Sequence, residues 1–155
     1  MDAGKRILVV EDNPSDEFLT LEAFQRLDLR EVVLAVRDGA EALDYLFCTG
    51  AYANRPVGDL PELILLDLTL PSLNGIEILD RIRADARTRL IPVVIFTGSD
   101  SRRDLVASYL SGANSFVQKP VSFGDYSEVL RQVWHYWSKV NTLPSTPVVA
   151  ISEEA

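Results

Sequence analysis

The sequence is poor in the features that define several classes of protein. It contains a single cysteine, Cys48, so no disulfide can form within the chain. Its apolar runs are far shorter than the roughly 18 residues that span a bilayer, and no signal-peptide pattern follows the N-terminal MDAGKR. These absences predict a protein of the reducing cytoplasm that has no membrane partner.

Positive charge is also scarce. Fifteen basic residues stand against 23 acidic ones, which gives a formal net charge of −8 at pH 7. Binding to nucleic acid or to an anionic membrane through charge requires a basic patch, so we expect neither partner. The chain has 155 residues, of which 47% are hydrophobic and 25% charged, as in one globular domain with a substantial core.

Short aliphatic runs alternate with helical patterns along the chain. The runs predicted to be strands are Arg6–Val10, Glu31–Val36, Glu62–Asp67, Ile91–Thr97 and Ser115–Gln118. The segments predicted to be helices are Asn13–Asp28, Asp38–Gly50, Gly75–Ala84, Ser99–Gly112 and Ser122–Val140. Phe18 and Phe24 belong to the predicted apolar stripe of the first helix. Residues 1–140 are expected to form one domain and residues 141–155, which contain two prolines and no helical period, a tail.

The alternation of strands and helices sets the predicted fold class. Strands that are aliphatic without a polar alternation belong to a parallel sheet covered on both faces by helices. Right-handed crossovers and five strands favour a flavodoxin-like, doubly wound α/β fold with the strand order 2-1-3-4-5 and five helices. In such folds ligands bind beyond the carboxyl ends of the strands, so the polar residues at those ends become the candidate site.

Polar residues stand at the ends of four predicted strands. Glu11 and Asp12 follow the first strand, Asp67 ends the third, Thr97 ends the fourth and Lys119 follows the fifth. With strands one and three adjacent, three carboxylates converge, and such clustered negative charge is costly without a cation. Mg²⁺ commonly binds one or two carboxylates together with waters and a phosphate, so the sequence predicts a magnesium site at this edge.

Four segments, VVEDN, LLDLTLPSLNG, VVIFTGS and FVQKP, together resemble the receiver domain of bacterial response regulators over about residues 6–140. The connection before the third strand and the aromatic last helix are most similar to stand-alone regulators that partner phytochrome-type histidine kinases. The resemblance implies a receiver domain over residues 1–140 and a tail without an output domain. It also implies a switch that takes a phosphoryl group from a sensor histidine kinase and signals through protein contacts, not an enzyme.

The resemblance assigns roles around the phosphoryl group. Asp67 would be the nucleophile that accepts it. Asp12 and Asp67 would ligate Mg²⁺ together with the backbone carbonyl of Thr69, and Glu11 would hold a metal-bound water. The Lys119–Pro120 peptide matches one that is commonly cis in this family.

The remaining roles concern stabilisation and switching. By resemblance, Lys119 would pair with the acceptor carboxylate and then with the phosphoryl oxygens, and Thr97 would hydrogen-bond the phosphoryl group. Phe116 is the aromatic residue that in this family rotates inward when the threonine moves. The resemblance also places Thr69 and Ser99 at variable positions that in this family are thought to tune the lifetime of the phosphoryl group.

Other functions fit the same fold. A phosphorelay intermediate that passes the phosphoryl group on would use the same residues. A haloacid-dehalogenase-type phosphatase requires an Asp-x-Asp pair at the first strand, whereas this chain has Asp67, Leu68 and Thr69 at the third. A flavodoxin-like nucleotide or flavin module requires a phosphate-binding loop after the first strand, where the acidic EDNPSDE would repel phosphate.

The last predicted helix carries more apolar surface than a helix on one face of a sheet requires. Trp134, Tyr136 and Trp137 contribute to this surface, and exposed aromatic residues often mark an interface. Trp134 and Trp137 are expected not to face the sheet together. We therefore predict a homodimer through this helix, together with strand five and helix four. Folding of the tail over these aromatic residues is the alternative.

Overall fold

Five parallel strands form one sheet within residues 5–144, the part of the chain that this computed structural model describes. The strands are β1 (Ile7–Val10), β2 (Val33–Val36), β3 (Leu63–Leu66), β4 (Val93–Thr97) and β5 (Ser115–Gln118). The α-helices are α1 (Pro14–Arg26), α2 (Gly39–Phe47), α3 (Gly75–Ala84), α4 (Arg102–Leu110) and α5 (Phe123–His135). The strand order is β2-β1-β3-β4-β5, which confirms the predicted α/β doubly wound fold. Most of the predicted tail, residues 145–155, lies outside the described residues.

Helices cover both faces of the sheet. One core lies between the sheet and helices α2 and α3, and a second lies between the sheet and helices α1 and α5. Strands β1, β3 and β4 are buried along their whole length, which is why their sequences are aliphatic without alternation. Strand β5 is only partly buried because it forms one edge of the sheet.

Each α-helix begins at a polar residue that follows the carboxyl end of a strand. The N-cap side chain accepts a hydrogen bond from the backbone N–H three residues later in every case. The N-cap residues are Asn13, Asp38, Asn74, Ser101 and Ser122. Such a cap contributes about 1 kcal/mol to helix stability. The caps therefore fix where each helix starts beside the carboxyl edge of the sheet.

Helices α2 and α5 show the largest differences from the predicted C-terminal ends. Helix α2 ends at Phe47 because Cys48 adopts a left-handed conformation (φ 56°), and its N–H bonds the Asp44 carbonyl. The predicted stop, Gly50, instead begins a short 3-10 turn. Helix α5 passes at His135 into one π-helical turn over Tyr136–Val140. None of the helices in the described part of the chain has the length and apolar character needed to cross a membrane.

The two tryptophans of the last helix both pack against the core beneath α1 and α5, so the expectation that they could not face the sheet together is wrong. Residues three apart diverge by about 60°, which fits within an apolar stripe of 100° or more. The Arg6 guanidinium also stacks on the Trp134 ring at 4.9 Å. Tyr136 remains 47% exposed, with its ring edge-to-face against Trp137.

The apolar stripe of α1 is narrower than predicted. Phe24 is fully buried in the core, whereas Phe18 is 62% exposed. Six residues correspond to a rotation of about 240° around a helix, which turns Phe18 away from the sheet. Helix α1 thus presents an aromatic ring to solvent close to the carboxyl edge.

Candidate functional site

A cleft of about 420 Å³ opens at the carboxyl edge of the sheet. The residues that line it are Glu11, Asp12, Asn13, Pro14, Asp16, Asp67, Thr69, Gly98, Ser99 and Lys119. They come from the segments that follow β1, β3, β4 and β5, together with the first turn of α1. The fold therefore brings the predicted acidic residues and the predicted lysine to one place.

Lys119 is the centre of this cleft. Its Nζ donates hydrogen bonds to Asp67 Oδ2 at 2.7 Å, to Asp16 Oδ2 at 2.8 Å and to Glu11 Oε1. Its backbone N–H donates to the Thr97 carbonyl at 2.7 Å, which ties the lysine to the end of β4. The Lys119 side chain is only 8% exposed, so the ammonium group is held among carboxylates rather than in solvent.

Asp67 lies directly after β3 and is buried. Its Oδ1 accepts a hydrogen bond from the Thr69 N–H at 3.1 Å, while its Oδ2 contacts Lys119. Its own N–H donates to the Val10 carbonyl at 3.1 Å, which joins the end of β3 to β1. The carboxylate is consequently held in one direction, with both oxygens at the wall of the cleft.

Gly75 allows α3 to begin close to this strand end. Its N–H donates to the Leu68 carbonyl at 3.0 Å. A Cβ atom at this position would lie 2.4 Å from the Asp67 carbonyl oxygen and 2.7 Å from Leu68 Cα. Both neighbours are backbone atoms, so any larger residue would displace the segment that carries Asp67.

The pKa values of Glu11 and Lys119 are both raised in the cleft, which favours the neutral form of the glutamate and the charged form of the lysine. Burial raises the pKa of Glu11 to about 7, although its hydrogen bond from Lys119 opposes the shift. Burial lowers the pKa of Lys119, but its hydrogen bonds to Asp16, Asp67 and Glu11 outweigh burial and raise it overall. The lysine therefore stays charged, and Glu11 retains a proton more readily than an exposed glutamate.

The acidic residues of the cleft fit a divalent cation. Glu11, Asp16 and Asp67 each offer a carboxylate oxygen, and these oxygens lie within 4.8 Å of one another. Three carboxylates around one ammonium leave an excess of negative charge when all are ionised. Hard cations with oxygen ligands offset such an excess. The donor set therefore suits a metal such as Mg²⁺ or Mn²⁺ rather than a thiolate-binding one.

The predicted site residues occupy different positions around the cleft. Asp12 and Thr69 are exposed at its rim, whereas Thr97 is buried at the end of β4. The Thr97 hydroxyl accepts a hydrogen bond from the Ser99 N–H at 3.3 Å. Phe116 is half-buried on β5 and packs against the core beneath α2 and α3. The Lys119–Pro120 peptide is trans, as are all peptides of the described residues, so the cis form implied by the resemblance is not observed.

The sequence alone did not identify Asp16 as a site residue. It stands in the first turn of α1, where an acidic residue is explained by the helix dipole and by the hydrogen bond from its N–H to Asn13 Oδ1. Only the packing of α1 against α5, the helix that follows Lys119, brings its carboxylate to the lysine. The sole signal in the sequence is the density of acids in EDNPSDE.

Comparison with known proteins agrees with this geometry. The family model described as "Response regulator receiver domain" matches residues 7–131. The probable methanogenesis regulatory protein FilR2 of Methanothrix harundinacea is 39% identical over 138 residues, which cover 89% of this chain and 86% of that protein.

Two solved structures are also similar to this one. The phosphorylated cyanobacterial phytochrome response regulator RcpA superposes with a TM-score of 0.83 at 37% identity, over 92% of this chain and 99% of that one. The Mn²⁺-bound form of response regulator Rcp1 superposes with a TM-score of 0.81 at 34% identity, over 90% of this chain and 99% of that one. The likeness therefore extends over almost the whole described chain.

Proposed function

The chain belongs to the family of response regulator receiver domains, and we propose that Asp67 is the residue on which it accepts its phosphoryl group. Members of this family are the phosphoacceptor switches of two-component systems, and this chain is one of them. One observation carries the assignment of the residue. Asp67 is the buried carboxylate at the end of β3 that contacts Lys119 through one oxygen and the Thr69 N–H through the other.

The chemistry proposed for Asp67 is nucleophilic attack on a phosphohistidine. An oxygen of Asp67 forms a bond to phosphorus while the bond between phosphorus and the histidine nitrogen breaks, and its electron pair returns to the imidazole. The Lys119 ammonium, already within hydrogen-bond distance of Asp67, is placed to donate to the phosphoryl oxygens. The Thr97 hydroxyl would exchange its bond from the Ser99 N–H for one to the phosphoryl group. Positioned charges of this kind account for most of the catalysis in phosphoryl transfer.

Mg²⁺ is the cofactor proposed for this step. Asp12, Asp67 and the Thr69 carbonyl would ligate it, and Glu11 would hold one of its waters. Asp16, which the structure adds to the cleft, is a further carboxylate within reach. When bound, the metal would offset negative charge on the phosphoryl oxygens and carboxylates. The excess of carboxylates over cations in the cleft supports this proposal.

The proposed donor is a sensor histidine kinase of the phytochrome type, because RcpA is a phytochrome response regulator and is similar along nearly its whole length. The kinase must bring its phosphohistidine to the mouth of the cleft. Phe18 on α1 and Val121 after β5 are exposed apolar residues, each two positions beyond a residue of the cleft, so they are the candidate contacts. We propose that the phosphorylated form signals through protein contacts rather than nucleic acid, in keeping with the net charge of −8.

A homodimer through α4, β5 and the end of α5 is also proposed. Strand β5 is a partly exposed edge strand. Helix α4 follows β4, precedes β5 and buries only Ser108, and it exposes apolar side chains at Val106, Tyr109 and Leu110. The turn after α5 adds Tyr136 and Val140, which are also exposed. Trp134 and Trp137 would support this surface from beneath, since both pack on the core.

Phosphorylation with a small donor tests the acceptor directly. Wild type and Asp67→Asn are incubated with acetyl phosphate and Mg²⁺, and intact mass is measured. Wild type should gain one phosphoryl group and Asp67→Asn none that is stable. Equal modification of the two proteins would show that Asp67 is not the acceptor. Label transfer from purified kinases, one of them phytochrome-type, then tests the donor.

A further inference from the structure

A chain of hydrogen bonds leads from the cleft to the first turn of α4. The Ser99 N–H donates to the Thr97 hydroxyl at 3.3 Å. The Ser99 hydroxyl donates to Asp104 Oδ2 at 2.6 Å and accepts a hydrogen bond from the Ser101 N–H at 3.2 Å. Ser99 lines the same cleft as Asp67. Asp104 is thus connected to the acceptor site without lining it.

The structure holds Asp104 firmly in this arrangement. Asp104 is the third residue of α4, and its N–H donates to the Ser101 hydroxyl that caps the helix. Its carbonyl accepts a hydrogen bond from the buried Ser108 hydroxyl at 2.7 Å. A serine hydroxyl has one proton to donate and two lone pairs. The Ser99 hydroxyl donates to Asp104 and uses one lone pair to accept from the Ser101 N–H, so it keeps one lone pair with which to accept a hydrogen bond in the cleft.

We propose that Asp104 is a positioning residue that acts through Ser99 to set the lifetime of the phosphoryl group. The inference rests on the proposed function, because it requires a phosphoryl group on Asp67. In hydrolysis, the water oxygen bonds to phosphorus, the bond between phosphorus and the Asp67 oxygen breaks, and its electron pair returns to the carboxylate. Both water protons leave with the inorganic phosphate.

Asp104 determines whether the Ser99 hydroxyl accepts a hydrogen bond from that water or donates one in the cleft. Because the Ser99 hydroxyl donates its hydrogen bond to Asp104, the Ser99 oxygen accepts a hydrogen bond from the water and orients it for attack. Without the Asp104 carboxylate, the Ser99 hydroxyl can rotate and donate to the phosphoryl oxygens instead. Ser99 would then stabilise the phosphorylated form, and hydrolysis would slow.

The decay of the phosphorylated protein tests this role. Each variant is phosphorylated with acetyl phosphate, the donor is removed, and the phosphorylated fraction is followed by intact mass in the presence of Mg²⁺. Asp104→Ala should decay roughly three- to tenfold more slowly than wild type, the effect of one lost hydrogen bond. Asp104→Asn keeps an acceptor oxygen for Ser99 and should decay at a rate closer to wild type. Asp100→Ala removes a neighbouring exposed carboxylate and serves as the charge control.

A double-mutant cycle distinguishes an effect of Asp104 on the Ser99 hydroxyl from a general disturbance of the N-terminus of α4. If Asp104 acts through Ser99, the double variant Ser99→Ala/Asp104→Ala should decay at the rate of Ser99→Ala alone. A purely structural role would make the two effects additive. Additive effects, or an unchanged decay of Asp104→Ala, would overturn the inference and leave the proposed function intact. Failure of wild type to gain any phosphoryl group would overturn both.

Discussion

Lys119 Nζ and Asp67 Oδ2 lie 2.7 Å apart, and each of the two side chains is only 8% exposed. The two residues are separated by 52 positions in the sequence. Lys119 also binds Glu11 and Asp16, so one ammonium serves three carboxylates in a largely buried setting. This arrangement makes the lysine a structural element of the unphosphorylated protein as well as a candidate ligand of the phosphoryl group.

Replacing Lys119 by methionine should destabilise the metal-free protein. Three carboxylates would then face each other without a cation, and loss of one partner of a buried ion pair costs on the order of 3 kcal/mol. Urea unfolding without Mg²⁺ measures the loss, with the exposed Lys139→Met as the matched control. Millimolar Mg²⁺ should restore much of the stability, since a ligand that binds only the native state stabilises it. Equal stability of Lys119→Met and wild type without metal would contradict this view of the cleft.

Mg²⁺ affinity should fall more in Asp12→Ala than in Glu11→Ala. The structure supplies a reason, because Glu11 is hydrogen-bonded to Lys119 and has its pKa raised by burial, whereas Asp12 is exposed at the rim. Calorimetric titration of both variants measures the order, and Asp80→Ala on the exposed side of α3 controls for loss of one acidic charge. An Asp12→Ala protein that binds Mg²⁺ as tightly as wild type would refute the metal assignment.

Phosphotransfer from a kinase should depend on Phe18, while phosphorylation by acetyl phosphate should not. The ring is 62% exposed, and its residue is two positions beyond Asp16 of the cleft. Aromatic side chains at the centre of an interface commonly contribute more than 1 kcal/mol, so Phe18→Ser should slow the kinase reaction roughly five- to tenfold. Val57→Ser changes an equally exposed apolar residue in the α2–β3 connection and should leave both reactions unchanged. If Phe18→Ser slowed phosphorylation by acetyl phosphate as well as by the kinase, the substitution would have disturbed the cleft rather than a contact with the kinase.

Sedimentation at micromolar concentration should detect a homodimer. Leu110→Ser on α4 and Tyr136→Ala after α5 should each weaken it, because both side chains are exposed on the proposed surface. Val57→Ser, which lies on another surface, should not. Trp134→Ala should mainly lower the unfolding temperature, since this side chain packs on the core and under Arg6. A wild-type protein that stays monomeric at every accessible concentration, phosphorylated or not, would eliminate the dimer.

Tyr52 should ionise far above its ordinary pKa. Burial, followed by its hydrogen bond to Glu41, raises the pKa from 10.0 to about 12. The folded state therefore keeps a proton that the unfolded state loses, so the stability that this tyrosine contributes is complete below pH 10 and is lost as pH rises towards 12. A titration of tyrosinate absorbance should show this late step and lose it in Tyr52→Phe. Identical curves for the two proteins would disprove the shift.

The sequence by itself determined the order of strands and helices and most of the residues of the candidate site. The period of the apolar residues, the polar N-caps and the prolines act over a few residues, so they can be read without a structure. Asp67, Thr97 and Lys119 were identifiable because each stands at the end of an aliphatic run, and parallel strands bring such ends to one edge. Local signals were weaker at helix ends, where Cys48 rather than Gly50 terminates α2.

Tertiary structure alone decided which side chains meet across that edge. Asp16 contacts Lys119, 103 positions away, because α1 packs against α5, the helix that follows the lysine. The first turn of α1 would explain an acidic residue at this position even without that contact. Trp134 and Trp137 both face the core because the apolar stripe between α5 and the sheet is wide enough for both. The bond between Ser99 and Asp104 depends on how the loop after β4 enters α4. Local periodicity fixes the elements, but the direction of a side chain at a terminus or in a loop is set by partners distant in sequence.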